Sequence, residues 1–306
     1  MTENINSRSG LERKEPLNYE KPESLAPEAR RIAQRSAAGA VLIAGAVIFF
    51  LAEFIAAAAW TNPPYSYTYH YISDLGVHGP SRALGQFMYS PLAWVMNTGF
   101  FLFGITVFAG VAMLRGLQGR RRWTALIPAA LLAAGGVLLA LFPGSGEAMK
   151  DGTDAYHGLG AFAGIVGGNV LVIVLGRLHR HIGVSRKPGK AMVALGVFGL
   201  VSMAGFLALA GSGANVLVGL VERAAVYPVL IGPVCAGVSI WTRRPRDTRQ
   251  ARAASTGDAV AQSPGIPGGS MAPAAVTIAI RENGTAGTAG PGRTFTGPGA
   301  GTDIGN

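Results

Sequence analysis

Residues 36–60 read SAAGAVLIAGAVIFFLAEFIAAAAW, a stretch with a single charged side chain, Glu53. A helix rises 1.5 Å per residue, so about 20 apolar residues cross the roughly 30 Å hydrocarbon core of a bilayer. The stretch is therefore predicted to be a transmembrane helix. It is longer than the apolar part of a secretory signal peptide, which runs about 7–15 residues. We therefore expect it to remain in the protein as an uncleaved first span.

Five further apolar segments of similar length follow, at about residues 91–114, 124–142, 157–177, 190–210 and 223–242. The sequence thus predicts an all-α polytopic membrane protein, in which residues 36–245 form a bundle of six transmembrane helices. Residues 1–35 and 246–306 are polar or rich in Gly, Ala, Thr and Pro, without apolar periodicity. Such composition buries too little apolar surface to offset ordering entropy, so we predict mostly disordered tails.

Basic residues are distributed unevenly between the two sides of this predicted bundle. Of 26 Lys and Arg residues, 23 lie in the tails or near the loops after the second and fourth spans. The other side holds only Arg82, Lys150 and Arg223. Loops rich in Lys and Arg stay in the cytoplasm. The pattern predicts a multi-pass protein of the cell membrane with both termini cytoplasmic.

The net charge of +10 is explained by this topology, so we expect no nucleic-acid partner. The bilayer itself is the expected partner, with Arg120, Arg121 and Arg122 contacting anionic lipid headgroups at the cytoplasmic face. Cys235 is the only cysteine, which excludes an intrachain disulfide and a cysteine-based metal site. Neither a cofactor nor an oligomeric state follows from the sequence.

Three polar residues lie within the predicted spans. Glu53 is about 10 Å below the outer end of the first span, because seven residues at 1.5 Å each separate them. Asn97 lies at a similar depth in the second span, and Asn169 is near the middle of the fourth. A carboxylate at that depth faces the bundle interior and has a partner. The three residues fit either a polar pocket that opens outward or interhelical hydrogen bonds that stabilise the bundle.

A second polar group lies at the outer end of the bundle. It comprises His70, Ser73 and Asp74 in the first loop, Asp154 and His157 at the start of the fourth span, and Glu222 and Arg223 at the start of the sixth. If imidazoles and carboxylates converge there, they could bind a divalent metal or activate a nucleophile.

The candidate metal ligands are His70, Asp74, Asp154 and His157, and the candidate catalytic residues are His70, Ser73, Asp74 and His157. The candidate ligand-binding residues are Glu53, Asn97, Glu222, Arg223 and Tyr227. The alternative is that each group has a local structural role. Asp74 then ties down the loop, His157 starts a helix at an interface, and Glu222 with Arg223 forms an ion pair at the rim.

The loop between the first two spans, residues 61–90, is the longest connection. It contains Tyr65, Tyr67, Tyr69 and Tyr71, an alternation that fits a strand edge or a loop in the headgroup layer. We favour the headgroup layer because an isolated strand lacks a partner. In the fourth span, Gly160, Gly164 and Gly168 recur every four residues, which predicts close approach of a neighbouring helix.

Several of these segments resemble a known family. They are Ile72-Ser73-Asp74-Leu75-Gly76, Asn97, Leu141-Phe142-Pro143, His157-Gly158 with Gly160-Ala161, and Glu222-Arg223. In order and in placement they are similar to domain of unknown function 998, six-span membrane proteins of bacteria and archaea. The resemblance covers about residues 36–245. It implies a six-span fold and a set of marked positions, but no activity.

Three functions fit these observations. The first is binding of a lipid or small ligand at an outward-facing polar site. The second is lipid hydrolysis, which requires His70, Asp74 and His157 to converge. The third is proton-coupled transport, with Glu53 as the titrating group on a water-accessible path.

Overall fold

The structure, a computed structural model, describes residues 26–213 and 216–242. Its helices are α1 (Ala26–Ala59), α2 (Ala93–Ala112), α3 (Gly119–Leu141), α4 (Gly146–Asp151), α5 (Asp154–Arg177), α6 (Arg186–Ser212) and α7 (Val218–Thr242). All except α4 are long and apolar enough to cross a membrane. The predicted all-α, six-span fold is therefore confirmed. The prediction of disordered tails concerns residues outside the described ranges, apart from 26–35, which belong to α1.

The six long helices pack side by side in a closed ring that follows chain order. Each contacts the next, from α1 through α2, α3, α5, α6 and α7, and α7 returns to α1. In addition, α5 and α7 contact each other across the ring. This contact separates α6 from the interior, and α6 accordingly buries 22% of its most apolar window, against 39–50% for the other spans.

Successive spans run in opposite directions, so the connections collect at two ends. We call the end with residues 60–92 and 142–153 the loop end. The opposite end, with residues 113–118 and 178–185, is called the basic end. Across residues 33–213 and 216–242, the acidic residues all lie in the loop-end connections or in the halves of the spans next to them, including Glu53, Glu147 and Glu222.

Glycine allows close packing of α5, as the sequence predicts. Gly160 and Gly164 lie against α3, where a methyl group added to Gly135 would come within 2.5 Å of the Gly164 nitrogen. Gly168 instead faces Val229 of α7. Residues at intervals of four drift around a helix with 3.6 residues per turn, so the three glycines serve two neighbouring helices.

The long loop folds over the loop end. It contains a 3₁₀ turn at Ser73–Gly76 and an antiparallel hairpin of β1 (Ser81–Ala83) and β2 (Gln86–Met88). The tyrosine-rich segment 65–71 is not a strand. Instead, the Tyr65 hydroxyl donates a hydrogen bond of 2.9 Å to the Tyr71 carbonyl. The hairpin was not predicted from the sequence, because contacts with α4 stabilise it.

Those contacts join the hairpin to α4. The Ser81 hydroxyl donates to the Glu147 carboxylate at 2.7 Å and accepts from the Gly146 nitrogen at 2.8 Å. The Ser81 hydrogen bond and a hydrogen bond within the helix terminus lower the pKa of Glu147, so this carboxyl is ionised and is the better acceptor. The loop end is therefore an ordered cap in which residues far apart in sequence hold one another.

Candidate functional site

Glu53 and Arg223 form a buried ion pair close to the loop end. A guanidinium nitrogen of Arg223 lies 3.0 Å from the Glu53 carboxylate, and the Arg223 Nε donates to the same oxygen at 3.1 Å. Glu53 has no exposed surface and Arg223 is 4% exposed. The Tyr227 hydroxyl donates a third hydrogen bond to Glu53, at 3.1 Å. The carboxylate thus has charged and neutral partners, as a carboxylate inside a membrane requires.

The remaining donors of Arg223 bind the long loop. Its Nη1 donates to the carbonyls of Tyr67 at 2.8 Å and His70 at 3.1 Å, and its Nη2 donates to the Tyr65 hydroxyl. The guanidinium also lies 4.8 Å from the ring centroid of Tyr67 and 5.6 Å from that of Tyr65. Cation–π attraction adds to the hydrogen bonds at these distances. Two of the alternating tyrosines therefore enclose an arginine.

Gly219 brings the loop this close to α7. A Cβ atom at this position would come within 2.8 Å of the Tyr67 carbonyl oxygen and still closer to that of His70. The next residue, Leu220, donates its backbone N–H to the Thr68 carbonyl at 3.2 Å. Absence of a side chain at Gly219 is thus a condition for the contacts that Arg223 makes.

Glu222 makes hydrogen bonds with a different part of the loop from that bound by Arg223. Its carboxylate accepts a hydrogen bond from the Ile72 backbone nitrogen, and the residue is 7% exposed. Neighbouring helix residues project about 100° apart because a turn has 3.6 residues. The alternative of an ion pair between Glu222 and Arg223 at the rim is not observed, because within the described residues the salt bridge of Arg223 is with Glu53. Since α7 begins at Val218, both residues also lie inside the helix.

Asp74 is a third buried carboxyl group at this end, with 2% exposure. Its Oδ2 accepts a hydrogen bond of 3.0 Å from the Tyr71 nitrogen. Burial raises the pKa of Asp74 well above its ordinary value, and the charge of Glu222 raises it further. The neighbourhood has three carboxyl groups for one guanidinium, and a neutral Asp74 reduces this imbalance. Burial and the charges of Glu222 and Asp74 likewise raise the pKa of Tyr71 to about 12.

A cavity of about 60 Å³ lies inside the ring of helices, and we call it the central cavity. Its walls come from α1, α2, α3, α5, α7 and the long loop, and include Phe49, Phe100, Phe103, Leu132, Ile165 and Val229. The titratable or hydroxyl side chains in its lining are those of Glu222 and Ser73. The central cavity is therefore apolar along its length and polar where it meets the 3₁₀ turn.

The two asparagines do not line the central cavity. The Asn97 amide donates to the Gly76 carbonyl at 3.0 Å and so fastens the loop to α2. The Asn169 amide donates to the carbonyls of Ile165 and Ala225, both at 2.9 Å, and so joins α5 to α7. Glu53, Asn97 and Asn169 thus have separate sets of partners, and the expected polar pocket shared by all three is not observed.

The histidines predicted to converge also have separate partners. The His70 Nδ1 accepts from the Ser66 nitrogen at 2.9 Å, and its ring lies against Trp60 and Tyr65. Burial lowers the pKa of His70, which keeps the imidazole neutral. The His157 Nδ1 is 2.9 Å from the Phe142 carbonyl oxygen, at the start of α5. One turn earlier on that helix lies Asp154.

Metal binding requires several ligands in one place, and the candidates are not arranged in that way. Across residues 33–213 and 216–242, no group of three or more His, Cys, Asp or Glu side chains could hold a metal ion. In the same part of the chain, neither imidazole hydrogen bonds to the Ser73 hydroxyl. The structure thus brings together Glu53, Arg223 and Tyr227, and places Ser73 beside Glu222.

Tyr65 and Tyr67 were not predicted from the sequence as partners of Arg223. A signal was present, because an arginine in an apolar helix needs more acceptors than one carboxylate provides. The tyrosine-rich loop is rich in both hydroxyl groups and aromatic rings, and Gly219 marks a close backbone approach one turn before the arginine. Together these features indicate that the loop packs on α7.

Comparison with known proteins agrees with this architecture. No curated protein and no solved structure matches the chain. A family model described as a protein of unknown function, DUF998, matches residues 43–239. This range runs from α1 to α7 and includes Glu53, Arg223 and Tyr227. Because that match spans more than half of the 306 residues, this multi-pass membrane protein belongs to the DUF998 family.

Proposed function

We propose that the protein binds a single-chain lipid, with the chain in the central cavity and a hydroxyl or amine head beside Glu222 and Ser73. The observation that carries this proposal is an apolar cavity inside a membrane bundle with its polar groups confined to one end. Ligand sites are commonly apolar with a few polar groups that fix orientation.

The size of the central cavity favours a slim ligand. Its volume of about 60 Å³ is below the ~150 Å³ that admits benzene into an engineered apolar cavity. Rings and branched molecules therefore fit poorly, whereas part of a linear chain fits between the helices. The Phe49 ring contacts those of Phe100 and Phe103 edge to face at the wall, so we expect a rigid wall that selects for shape.

The polar end favours a head that donates hydrogen bonds. Glu222 offers a carboxylate whose backbone partners are Ile72 and Ser73, and Ser73 also offers a hydroxyl group that both donates and accepts. A hydroxyl or ammonium group satisfies both side chains. A second carboxylate or a phosphate is disfavoured there, because Glu53 and Glu222 already outnumber the single guanidinium of Arg223.

The other two functions have less support. Proton-coupled transport through Glu53 requires water to reach the carboxylate, which has no exposed surface and has Arg223 and Tyr227 as partners. Hydrolysis as predicted from the sequence requires His70 or His157 as the base beside Ser73, and the hydrogen bonds of both imidazoles are made elsewhere.

We also propose the membrane and the orientation. Among residues 33–242, the basic end and adjacent helix termini contain ten Lys and Arg residues, and the loop-end half contains three. By the positive-inside rule this places the basic end in the cytoplasm and the cap over the loop end outside a cell membrane. Arg120, Arg121 and Arg122 then contact anionic headgroups by general attraction.

Cysteine accessibility at Arg82→Cys and Arg121→Cys in sealed vesicles of known orientation tests the proposed orientation. Labelling of Arg121→Cys from outside would reverse the assignment.

Photo-crosslinking tests lipid binding. Full-length protein in detergent is exposed to a monoacylglycerol that carries a diazirine in its chain, and labelled peptides are mapped by mass spectrometry. We expect saturable labelling on α5 and α7 at residues that line the central cavity. Val226→Phe fills the cavity, and overpacking of about 1–3 kcal/mol should lower labelling about fivefold or more.

Val238→Phe is the matched control, because Val238 lies on the same helix and is 45% exposed. It should leave labelling unchanged. Ala161→Leu fills the cavity from α5 and covers the case in which Val226→Phe does not fold. Equal labelling of the filled and control variants, or unsaturable labelling spread over the helix surfaces, would refute lipid binding in the cavity.

A further inference from the structure

A second pocket lies at the basic end, far along the bundle from the central cavity. Its volume is about 140 Å³, and its lining includes Arg35, Arg115, Arg180 and His181. We call it the basic pocket. The three arginines come from α1, from the connection between α2 and α3, and from the connection between α5 and α6. Three arginines from separate parts of the chain therefore line one concave site.

Across residues 33–213 and 216–242, no carboxylate lines the basic pocket to neutralise them. From residue 33 to residue 242, the Asp and Glu residues of the described ranges are Glu53, Asp74, Glu147, Asp151, Asp154 and Glu222. None of these lines the basic pocket. Within the same ranges, the observed salt bridge is that of Arg223 with Glu53. Like charges that share a site repel unless an anion joins them.

Beneath its charged rim, the basic pocket has an apolar floor. Ala38, Leu114, Ile182 and Ile240 line it and are each at most 7% exposed. A ligand that fits both surfaces has an anionic group for the arginines and an apolar part for the floor. This favours an amphipathic molecule over a free inorganic ion.

The walls of the basic pocket are held in place by a close backbone contact. Gly116 lies so near the His181 carbonyl that a Cβ atom on it would overlap this oxygen. The connection after α2 and the connection after α5 thus touch, which brings Arg115 and Arg180 to one site. The convergence of the arginines is a consequence of packing between two connections and not of their separate exposure to solvent.

We infer that the basic pocket binds the phosphate headgroup of an anionic phospholipid from the adjoining leaflet. Guanidinium groups donate paired hydrogen bonds that match phosphate oxygens. Basic pockets between transmembrane helices are a recognised way to bind such headgroups. The glycerol and the first methylenes then lie on the apolar floor. The site differs in residues and in chemistry from the central cavity, so either proposal can fail without the other.

Native mass spectrometry of delipidated full-length protein, titrated with phosphatidylglycerol or phosphatidylcholine, tests the inference. We expect one phosphatidylglycerol to bind at lower concentration than phosphatidylcholine does. The triple variant Arg35→Gln, Arg115→Gln, Arg180→Gln should raise the Kd for phosphatidylglycerol by about tenfold or more, since even one charge-assisted hydrogen bond from a guanidinium to a phosphate oxygen contributes roughly tenfold.

The matched control is Arg120→Gln, Arg121→Gln, Arg122→Gln, which removes the same charge from the same end but outside the pocket lining. It should raise the Kd by about threefold or less, because only general attraction is lost. Equal losses in the two triple variants would show attraction to the whole surface and would overturn the assignment of a site.

Two further arms complete the test. Arg180→Lys retains the charge but not the planar fork, so its Kd for phosphatidylglycerol should lie between those of wild type and Arg180→Gln. These single variants also decide the matter if the triple variant does not fold. Millimolar inorganic phosphate should compete only weakly with phosphatidylglycerol. Full displacement by phosphate would show a free-anion site and refute recognition of a lipid.

Discussion

Replacement of Arg223 by Gln is expected to destabilise the bundle strongly. The substitution leaves the Glu53 carboxylate without its charged partner at a position with no exposed surface. Removal of one member of a buried ion pair costs about 3–5 kcal/mol. For a domain of this size, 1 kcal/mol shifts the melting temperature by roughly 2–4 °C. We therefore expect Arg223→Gln to melt about 6–20 °C below wild type.

The reverse substitution, Glu53→Gln, is expected to cost less. Arg223 would retain neutral acceptors in the carbonyls of Tyr67, His70 and Gly219 and in the Tyr65 hydroxyl. By contrast, Glu53 without Arg223 would retain only the Tyr227 hydroxyl. The double variant should melt above Arg223→Gln, because it buries no unpaired charge.

The assay is thermal unfolding of full-length protein in a mild detergent, followed by circular dichroism and by tryptophan fluorescence. Arg82→Gln is the control, since Arg82 is an exposed arginine of the same cap that lies over the ring of Phe87 at 5.3 Å. It should melt close to wild type. The reasoning fails if Arg223→Gln melts no lower than Arg82→Gln, or if the double variant is less stable than both single variants.

Three more substitutions give distinct expectations. Asn169→Ala loses the hydrogen bond to the Ala225 carbonyl and should lower stability in the same assay by about 1 kcal/mol, in line with interhelical hydrogen bonds in membranes. Gly219→Ala should push the long loop off α7, which hydrogen exchange would detect as faster exchange at the backbone N–H of Leu220; unchanged exchange would contradict the close contact. Asp74→Asn tests the raised pKa: because folded Asp74 holds its proton above the ordinary value of 3.8, wild-type stability should fall as pH rises from about that value through the folded-state pKa. The stability of Asp74→Asn should lack this fall and should exceed that of wild type at neutral pH. A difference in stability between wild type and variant that does not change with pH would contradict the raised pKa of Asp74.

The features that could be predicted from sequence are those that each span determines alone. Hydropathy and length identified the six helices, because every transmembrane backbone must satisfy its own hydrogen bonds within the helix. Burial of Glu53 inside the bundle followed from the cost of exposing a carboxylate to lipid. Its partner did not follow, because Arg223 is 170 residues away and the pairing depends on closure of the ring between α1 and α7.

At the loop end too, some features could be predicted from the sequence and others could not. The position of the long loop was evident, but its hairpin was not, because three-residue strands carry no alternation that distinguishes them from turns. The hairpin is stabilised through Ser81, which makes hydrogen bonds with Gly146 and Glu147, residues distant from it in the sequence. The alternative of a rim ion pair between Glu222 and Arg223 is not observed, for a related reason. Adjacency in sequence suggested a pair, whereas helix geometry directs the two side chains to different partners.

The different partners of Glu222 and Arg223 connect the ion pair of Glu53 and Arg223 to the central cavity. Arg223 holds the loop through the carbonyls of Tyr67 and His70, while Glu222, on the next residue, holds the nitrogen of Ile72. Ile72 and Ser73 follow directly in the chain and line the cavity with Glu222. One turn of α7 thus fixes both the path of the loop and the polar end of the cavity. The buried charges of Glu53 and Arg223 therefore have a consequence beyond stability. They hold the segment that positions Ser73, so Arg223→Gln should reduce labelling by the photoactivatable monoacylglycerol even at temperatures where the variant remains folded.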